Sequence, residues 1–391
     1  MRRCRIDLPG TFLAIPLFAL CALVFSCSTT RPEPRGRLPD GYWSEQQTRE
    51  VLDRTLEVRF DPDLSGLSEA ERATLGKLLE VGEIFQELYE RTKHHQALSA
   101  HRELIEQDRR LASPLTRDLL DLYRLFEGPI ATTLDNQRLP FLPVDPEVPG
   151  KNVYPIGLKK EALADASADL LRLRSVVRRV DAALLSEDLA TLRQYPVLDT
   201  LHPGLAAELS RLRTDPDGQD LYAVPYSVAF ASELLKAFLL LNEAAALIES
   251  TDPDFSDYLR QRARDLLADD YEAGDAAWVT GRFGKLNAQL GAYETYDDAL
   301  FGVKAFFGAS LLLLDEPRSE ELRSAISGLQ RIEDALPARG TGRFARGFRW
   351  GSTTSSRTSA RPGARTPRPS CRTRRESPPS TAARSCSATT S

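Results

Sequence analysis

A mainly α (α+β) body is what the amino-acid sequence predicts: a helical lobe with one small β-hairpin or sheet element near residues 277–293 and a disordered C-terminal tail. Three observations predict it. Capping boxes open helices at Ser44 with Gln47 and at Ser68 with Glu71, where the serine and the residue three positions on satisfy each other's free amides. Leu75, Leu78, Leu79, Gly82, Phe85, Leu88 and Tyr89 then recur at helical spacing and give one buried face. Leu286, Ala288 and Leu290 alternate with Asn287 and Gln289, the period of a half-buried strand.

Taken in order, Ser113-Pro114 opens a further helix, with proline where its missing N–H costs nothing, and this helix runs to about Phe126. The proline- and aromatic-rich segment Glu127–Gly157 reads as a long irregular stretch across a surface. Helices are expected at Lys159–Leu173, Ser186–Gln194, Gly204–Arg213 and Ser227–Glu249, the last being the most apolar and therefore central. Ser175–Val180 and Leu221–Val224 are compatible with strands, the first equally with a continuing helix. Trp278–Tyr293 reads as the hairpin, with Gly281–Lys285 as its turn. Helices over Asp297–Leu314 and Ser319–Leu336 complete the body, and no fixed-period repeat indicates a solenoid.

Four regions follow: a leader at 1–27, a tether at 28–43, the lobe at 44–337 and a tail at 338–391. Met1-Arg2-Arg3-Cys4-Arg5 is basic and Thr11–Phe25 is apolar apart from Pro16, the layout of a secretory signal that is short for a membrane span. The run ends in Phe25-Ser26-Cys27, which resembles the lipobox of bacterial lipoproteins and implies acylation of Cys27, with a lipid bilayer as partner. Phe25 is bulky where a small residue is usual, Cys21 is a poorer second candidate, and an uncleaved anchor helix is the alternative. Ser28 supplies no acidic retention signal, so the expected location is the bacterial cell envelope, at the outer membrane facing the periplasm.

The 391 residues are 42% hydrophobic and 27% charged, enough for a substantial core. No cysteine lies between Ser28 and Ser370, so the body must rest on packing rather than disulfides. The net charge of -5 hides an asymmetry, because the tail holds twelve arginines against the single acid Glu376. The remainder is acidic, which argues against nucleic acid as its partner. From Ala338 onward there is no Leu, Ile, Val, Met or Lys, so no core can form. A basic arm for anionic lipid or nucleic acid is one reading of the tail. Arginine without lysine, beside a body that uses both, favours a reading frame lost near Pro337.

A zinc hydrolase built on one helix would show H-E-x-x-H, with two imidazoles one turn apart on one ion. That motif is absent, and the histidines are only His94, His95, His101 and His202. His94 and His101 share a face if they lie on one helix, but two turns separate them by about 10 Å, so a solvated face outweighs a metal site even with Glu90 nearby. There is no Gly-rich phosphate loop, no G-x-S-x-G elbow and no C-x-x-C pair, and His202 before Pro203 belongs to a helix-entry turn. Asp269-Asp270-Tyr271-Glu272 with Asp275 and Trp278 could hold a cation or ammonium group, or could simply be solvated at a helix end. Gly291–Asp298 joins a strand to a helix and sends polar side chains from a rigid edge, although Thr295 or Asp297 could equally be a helix cap.

The run GAYETYDDALF from Gly291 to Phe301, followed by Lys304-Ala305-Phe306-Phe307, is similar to a segment of the dipeptidyl peptidase III family of zinc metallopeptidases and its bacterial zinc-hydrolase relatives. Asp269-Asp270-Tyr271 with Asp275 and Trp278, Tyr222–Ser227, and Asn152-Val153-Tyr154-Pro155 agree in the family's order. The resemblance implies a two-lobed enzyme that removes dipeptides from peptide amino ends. It further implies that Glu294 binds the substrate's free amino group and that Tyr296 steadies the tetrahedral intermediate, chemistry that suits a carboxylate and a phenol. Ala292 stands where relatives often have proline, and 181–219 looks like an insertion of unknown role. The family's H-E-x-x-G-H and its acidic third ligand do not occur in the sequence, so the expected cofactor of this chain is none, against zinc in the family. Two readings result: an exported lipoprotein of this peptidase type that is inactive as written because its zinc site is missing, or a zinc-free lipoprotein that binds short peptides or serves as a scaffold. A Nudix-type nucleotide hydrolase lacks its Glu-rich signature helix.

Overall fold

The computed structural model describes residues 36–58, 61–163, 168–216, 218, 220–335 and 353–356. Contacts divide the chain into Met1–Arg37 and Leu38–Ser391, and the fold belongs to the second unit. Cys27, most of the tether and most of the tail lie outside the described residues. Among the described residues no helix is long and apolar enough to cross a membrane.

The core is built on three helices and one sheet. Helix α1 (Glu45–Leu52) and helix α2 (Glu69–Lys93) begin at the expected capping boxes, and in α2 the Glu71 amide donates to the Ser68 hydroxyl at 3.2 Å while the Ser68 amide donates to Glu71 at 2.7 Å. Such a cap stabilises a helix by about 1 kcal/mol. Helix α3 (Ala97–Leu111) and helix α4 (Pro114–Phe126) follow, and α4 packs with α1, Trp43 and Phe141 into a satellite core. The segment after α4 is irregular as expected, apart from a short antiparallel pair, β1 (Ile130–Thr132) with β2 (Arg138–Pro140).

The described residues of 159–173 do not continue the helix expected there. They contain two single 3-10 turns, Lys160–Leu163 and Ala168–Leu171, because the carbonyls of Leu170 and Arg172 are turned toward the Lys304 ammonium instead of along a helix axis. Strand β3 (Ser175–Arg179) pairs antiparallel with β4 (Leu221–Pro225), so both strand readings hold. Between them lie α5 (Ala182–Gln194), α6 (Pro196–Leu201) and α7 (Leu205–Thr214), which make up the 181–219 segment. The expected central helix is broken at Phe230 into a turn, α8 (Tyr226–Ala229), and the long α9 (Ala231–Ile248). Small buried residues Ala237, Ala244 and Ala245 let α9 lie close between α2 and α10 (Pro253–Ala268).

The hairpin is displaced from its expected position. Trp278 sits in α11 (Glu272–Thr280), and Gly281–Lys285 connects that helix to strand β5 (Leu286–Glu294). Helix wins there because carboxylates satisfy its first amides, one from α10 and one local: Gly274 donates to Asp265 at 3.1 Å and Glu272 to Asp270 at 3.1 Å. The partner of β5 is β6 (Phe306–Leu314), which replaces the helix expected over 297–314. Phe307, Ala309, Leu311 and Leu313 stand opposite Ala292, Leu290, Ala288 and Leu286, so both strands bury the same alternating face against α2. Strand β7 (Thr353–Ser356) pairs with the other edge of β6, and α12 (Glu316–Ser327) with α13 (Leu329–Ala335) follow the sheet in sequence.

Candidate functional site

The last residues of β5 leave the sheet from a strand held on every side. Gly291 has φ +148°, and a Cβ there would meet Tyr271 Cε2 at 2.4 Å, so the strand passes the tyrosine ring only because this residue has no side chain. The open edge of β5 is closed by side chains: Tyr258 donates to the Ala288 carbonyl at 2.8 Å, Arg174 to the Ala292 carbonyl at 3.0 Å, and the Ala292 amide to Tyr271 at 3.3 Å. Arg174 also lies 3.5 Å above the Tyr271 ring. A bulge at Tyr293 separates the Ala292–Phe307 pair from the last pair of the ladder, Glu294–Phe306.

Beyond it the turn 295–305 is built on adjacent aspartates held by different parts of the body. Asp298 is buried and accepts from the amides of Leu300, Phe301, Val303 and Lys304 at 2.9–3.0 Å and from the Tyr154 phenol at 3.0 Å. Burial alone would push its carboxyl up, but these donors outweigh that and hold it below the usual aspartate range. Lys304, 0% exposed, donates to the carbonyls of Leu170 and Arg172 and to the Ser175 hydroxyl, and burial pulls its ammonium down to about 7. Asp297 accepts at 2.9 Å from Tyr89 of α2, whose oxygen in turn accepts from Lys93 at 3.0 Å.

Glu294 ends β5 opposite Phe306 and Tyr296 follows two residues later on the turn, both exposed, Tyr296 at 55%. Among the described residues the Glu294 carboxylate has no hydrogen-bond or ion-pair partner. The arrangement therefore offers an unneutralised carboxylate beside a phenol on a braced support, which suits capture of an ammonium group. Thr295 and Asp297 are not helix caps, since no helix follows them.

The acidic and aromatic cluster is divided differently from its sequence reading. Asp269 points into the body, where the Ser227 amide donates to it at 2.9 Å, and burial pushes its carboxyl up to about 7. Asp275 is taken by Arg262 at 2.6 Å and by the Tyr293 phenol, which leaves Asp270 and Glu272 with Arg174 around an open depression of about 580 Å³. His202 caps the end of α6 and its carbonyl accepts from the Leu205 amide at 3.1 Å, in the turn that enters α7 as expected, and its Nε2 lies 2.7 Å from the Ser227 hydroxyl and 3.9 Å from Asp269. This is not a nucleophile triad: Ser227 is fully buried, and serine and aspartate face the same ring nitrogen.

His94 and His101 are not on one helix, because α2 ends at His94 and α3 begins at Ala97. His94 and His95 both face Asp145, while His101 stacks on Tyr123 at 4.0 Å. Among the described residues no three His, Cys, Asp or Glu side chains are grouped to hold a metal, so these residues do not fit the zinc that the resemblance implies. Sequence reasoning missed Tyr89, Lys93 and Arg174 as parts of the site. Tyr154 and Lys304 carried a signal, since both fall in the segments that resemble the peptidase family.

No family model matches the chain. Nudix hydrolase 3 of Arabidopsis thaliana is 35% identical over 123 residues, which are 31% of this chain and 16% of that protein. Two solved structures share its fold. The DPP III structure from Caldithrix abyssi matches with a TM-score of 0.56 and 23% identity, over 75% of this chain and 48% of that one. The dipeptidyl-peptidase III structure from Corallococcus sp. strain EGB matches with a TM-score of 0.57 and 27% identity, over 78% of this chain and 49% of that one. The chain spans about half the length of these structures.

Proposed function

We propose that this lobe binds the free amino end of short peptides, with Glu294 pairing to the ammonium and Tyr296 donating to the first carbonyl. The observation that carries this reading is the exposed, unpartnered Glu294 carboxylate at the braced end of β5, two residues before Tyr296, in a chain that shares the fold of dipeptidyl peptidase III structures. The reading is peptidase-like in fold and peptide-binding in chemistry. No hydrolytic step is assigned, because the described residues group no zinc ligands. Export and lipid anchoring through Cys27, in a bacterial envelope, belong to the same proposal and rest on the leader's sequence.

The test is calorimetric titration with tetra-alanine and with N-acetyl-tetra-alanine. The free peptide should bind and the acetylated one should bind at least ~10-fold more weakly, because acetylation removes the charge that Glu294 pairs with. Glu294→Gln should abolish the difference. Equal binding of the two peptides to the unmodified protein would overturn the reading.

A further inference from the structure

Turns that carry exposed aromatic and acidic side chains sample many orientations unless something fixes them, and each freed rotamer weakens binding. Tyr296 lies on such a turn, and Glu294 is the strand residue that leads into it. Asp298 fixes its far end through backbone amides, and at the near end Glu294 stays paired with Phe306 while the Asp298 amide reaches the Thr295 carbonyl at 3.1 Å. Side-chain support for the stretch between them comes from a different direction. Tyr89, on the last turns of α2, donates its phenolic hydrogen to Asp297 Oδ2 at 2.9 Å. Its direction as donor is imposed from behind, because Lys93 Nζ donates into the same phenolic oxygen at 3.0 Å and into the Phe126 carbonyl, at the end of α4, at 2.9 Å. Lysine has only donors, so the tyrosine must accept from it and must spend its one hydrogen on the aspartate. A cation donating into the phenol also strengthens the bond the phenol makes onward.

The ring itself cannot swing away. Tyr89 packs edge-on against Phe306 at 6.3 Å, and the Lys93 ammonium lies 4.8 Å from the centre of the ring. No lysine or arginine nitrogen forms an ion pair with Asp297 among the described residues, so a neutral donor orients this carboxylate without cancelling its charge.

We propose that Tyr89, backed by Lys93, is a positioning residue of the amino-end site, acting through Asp297 to hold Glu294 and Tyr296 in their binding orientation; this rests on the reading that Glu294 receives a peptide ammonium. The two adjacent aspartates divide the work. Asp298 gathers the far end of the turn and ties it to Tyr154, and Asp297 ties the residues that touch ligand to α2.

The experiment uses the full chain and titrates tetra-alanine and its N-acetyl form into four variants. Tyr89→Phe should keep the thermal midpoint and lower affinity for the free peptide by about 10-fold, with affinity for the acetylated peptide unchanged, since only the oriented carboxylate is lost. Asp297→Asn keeps an oxygen that accepts from Tyr89 and should hold affinity within about 2-fold, whereas Asp297→Ala should match Tyr89→Phe. Should Tyr89→Phe fold poorly, the contrast between the two Asp297 variants carries the same test. If Glu294→Gln loses the free-peptide preference while Tyr89→Phe, or Asp297→Ala in its place, binds like the unmodified protein, the positioning role is overturned and the amino-end reading stands. If Glu294→Gln changes nothing, the amino-end reading falls and this inference with it.

Discussion

Tyr154 donates to the Asp298 carboxylate at 3.0 Å, joining the irregular segment after α4 to the turn between β5 and β6. Both side chains are buried, and the same carboxylate receives the amides of Leu300, Phe301, Val303 and Lys304. The phenol is thus one donor among several, and the carboxylate is the centre. Asp298→Ala should cost about 3 kcal/mol, because it strands buried amides, while Tyr154→Phe should cost only about 1 kcal/mol. Urea unfolding midpoints for the two variants would check the ranking, and a larger loss from Tyr154→Phe would place the centre on the tyrosine.

Two glycines make opposite predictions. Gly76 lies exposed in α2 with nothing within 4 Å of where a Cβ would stand, so Gly76→Ala should stabilise by about 1 kcal/mol through helix propensity alone. Gly274 lies in α11, where a Cβ would stand 2.0 Å from Asp265 Oδ2 and 3.1 Å from Arg262 Cζ. The same propensity gain applies there, but displacing a buried ion pair should outweigh it and leave Gly274→Ala destabilised by about 2 kcal/mol. Thermal midpoints moving in opposite directions would bear this out.

These contrasts mark how far the sequence was legible. The capping boxes of α1 and α2 could be read because both partners lie within one turn. Strand β6 could not, since Phe306–Leu314 is apolar on successive positions and its alternation becomes visible only when β5 supplies the register. The last turn of α11, Trp278–Thr280, was read as strand because Tyr271 offers no side-chain cap to announce the helix, and the carboxylate of Asp265, which replaces it, comes from α10. At the site, Glu294 and Tyr296 stood out through a contiguous motif, whereas Tyr89 looked like one more apolar member of a helix face. Its role depends on Asp297, 208 positions away, which no local pattern encodes.

Protonation of Asp269 should be readable in stability. Burial holds its folded carboxyl up to about 7, whereas an unfolded aspartate titrates near ~4. Between those values the folded chain keeps a proton that the unfolded chain has released. The contribution of Asp269 is therefore fully present below about pH 4 and is lost as pH rises toward 7, by up to ~1.4 kcal/mol per pH unit. His202 opposes it, since burial holds that imidazole below its usual range and its contribution grows as pH rises. Asp269→Asn removes only the first effect. The difference in thermal midpoint between this variant and the unmodified protein should shift steadily in the variant's favour from about pH 4.5 to 7, and a difference that stays flat across the range would rule the assignment out.

Arg174 should hold the end of β5 more than the sheet as a whole. Its guanidinium covers the Tyr271 ring and holds the Ala292 carbonyl at 3.0 Å and the Asp269 carbonyl at 3.3 Å. Methionine at this position keeps much of the packing over the ring but releases both carbonyls, one of them two residues before Glu294. Global stability should fall by about 1–2 kcal/mol, in line with the loss of two hydrogen bonds from a charged donor. Locally the end of β5 should fray, because the Ala292 carbonyl lies on the open edge where no neighbouring strand replaces the lost donor. Hydrogen exchange should therefore quicken at the amides of Ala292–Glu294 while Leu286–Gln289, held by β6 and Tyr258, stays protected. Uniform acceleration along the whole strand would instead mean that Arg174 supports the sheet as a unit and has no special hold on the turn that carries Glu294.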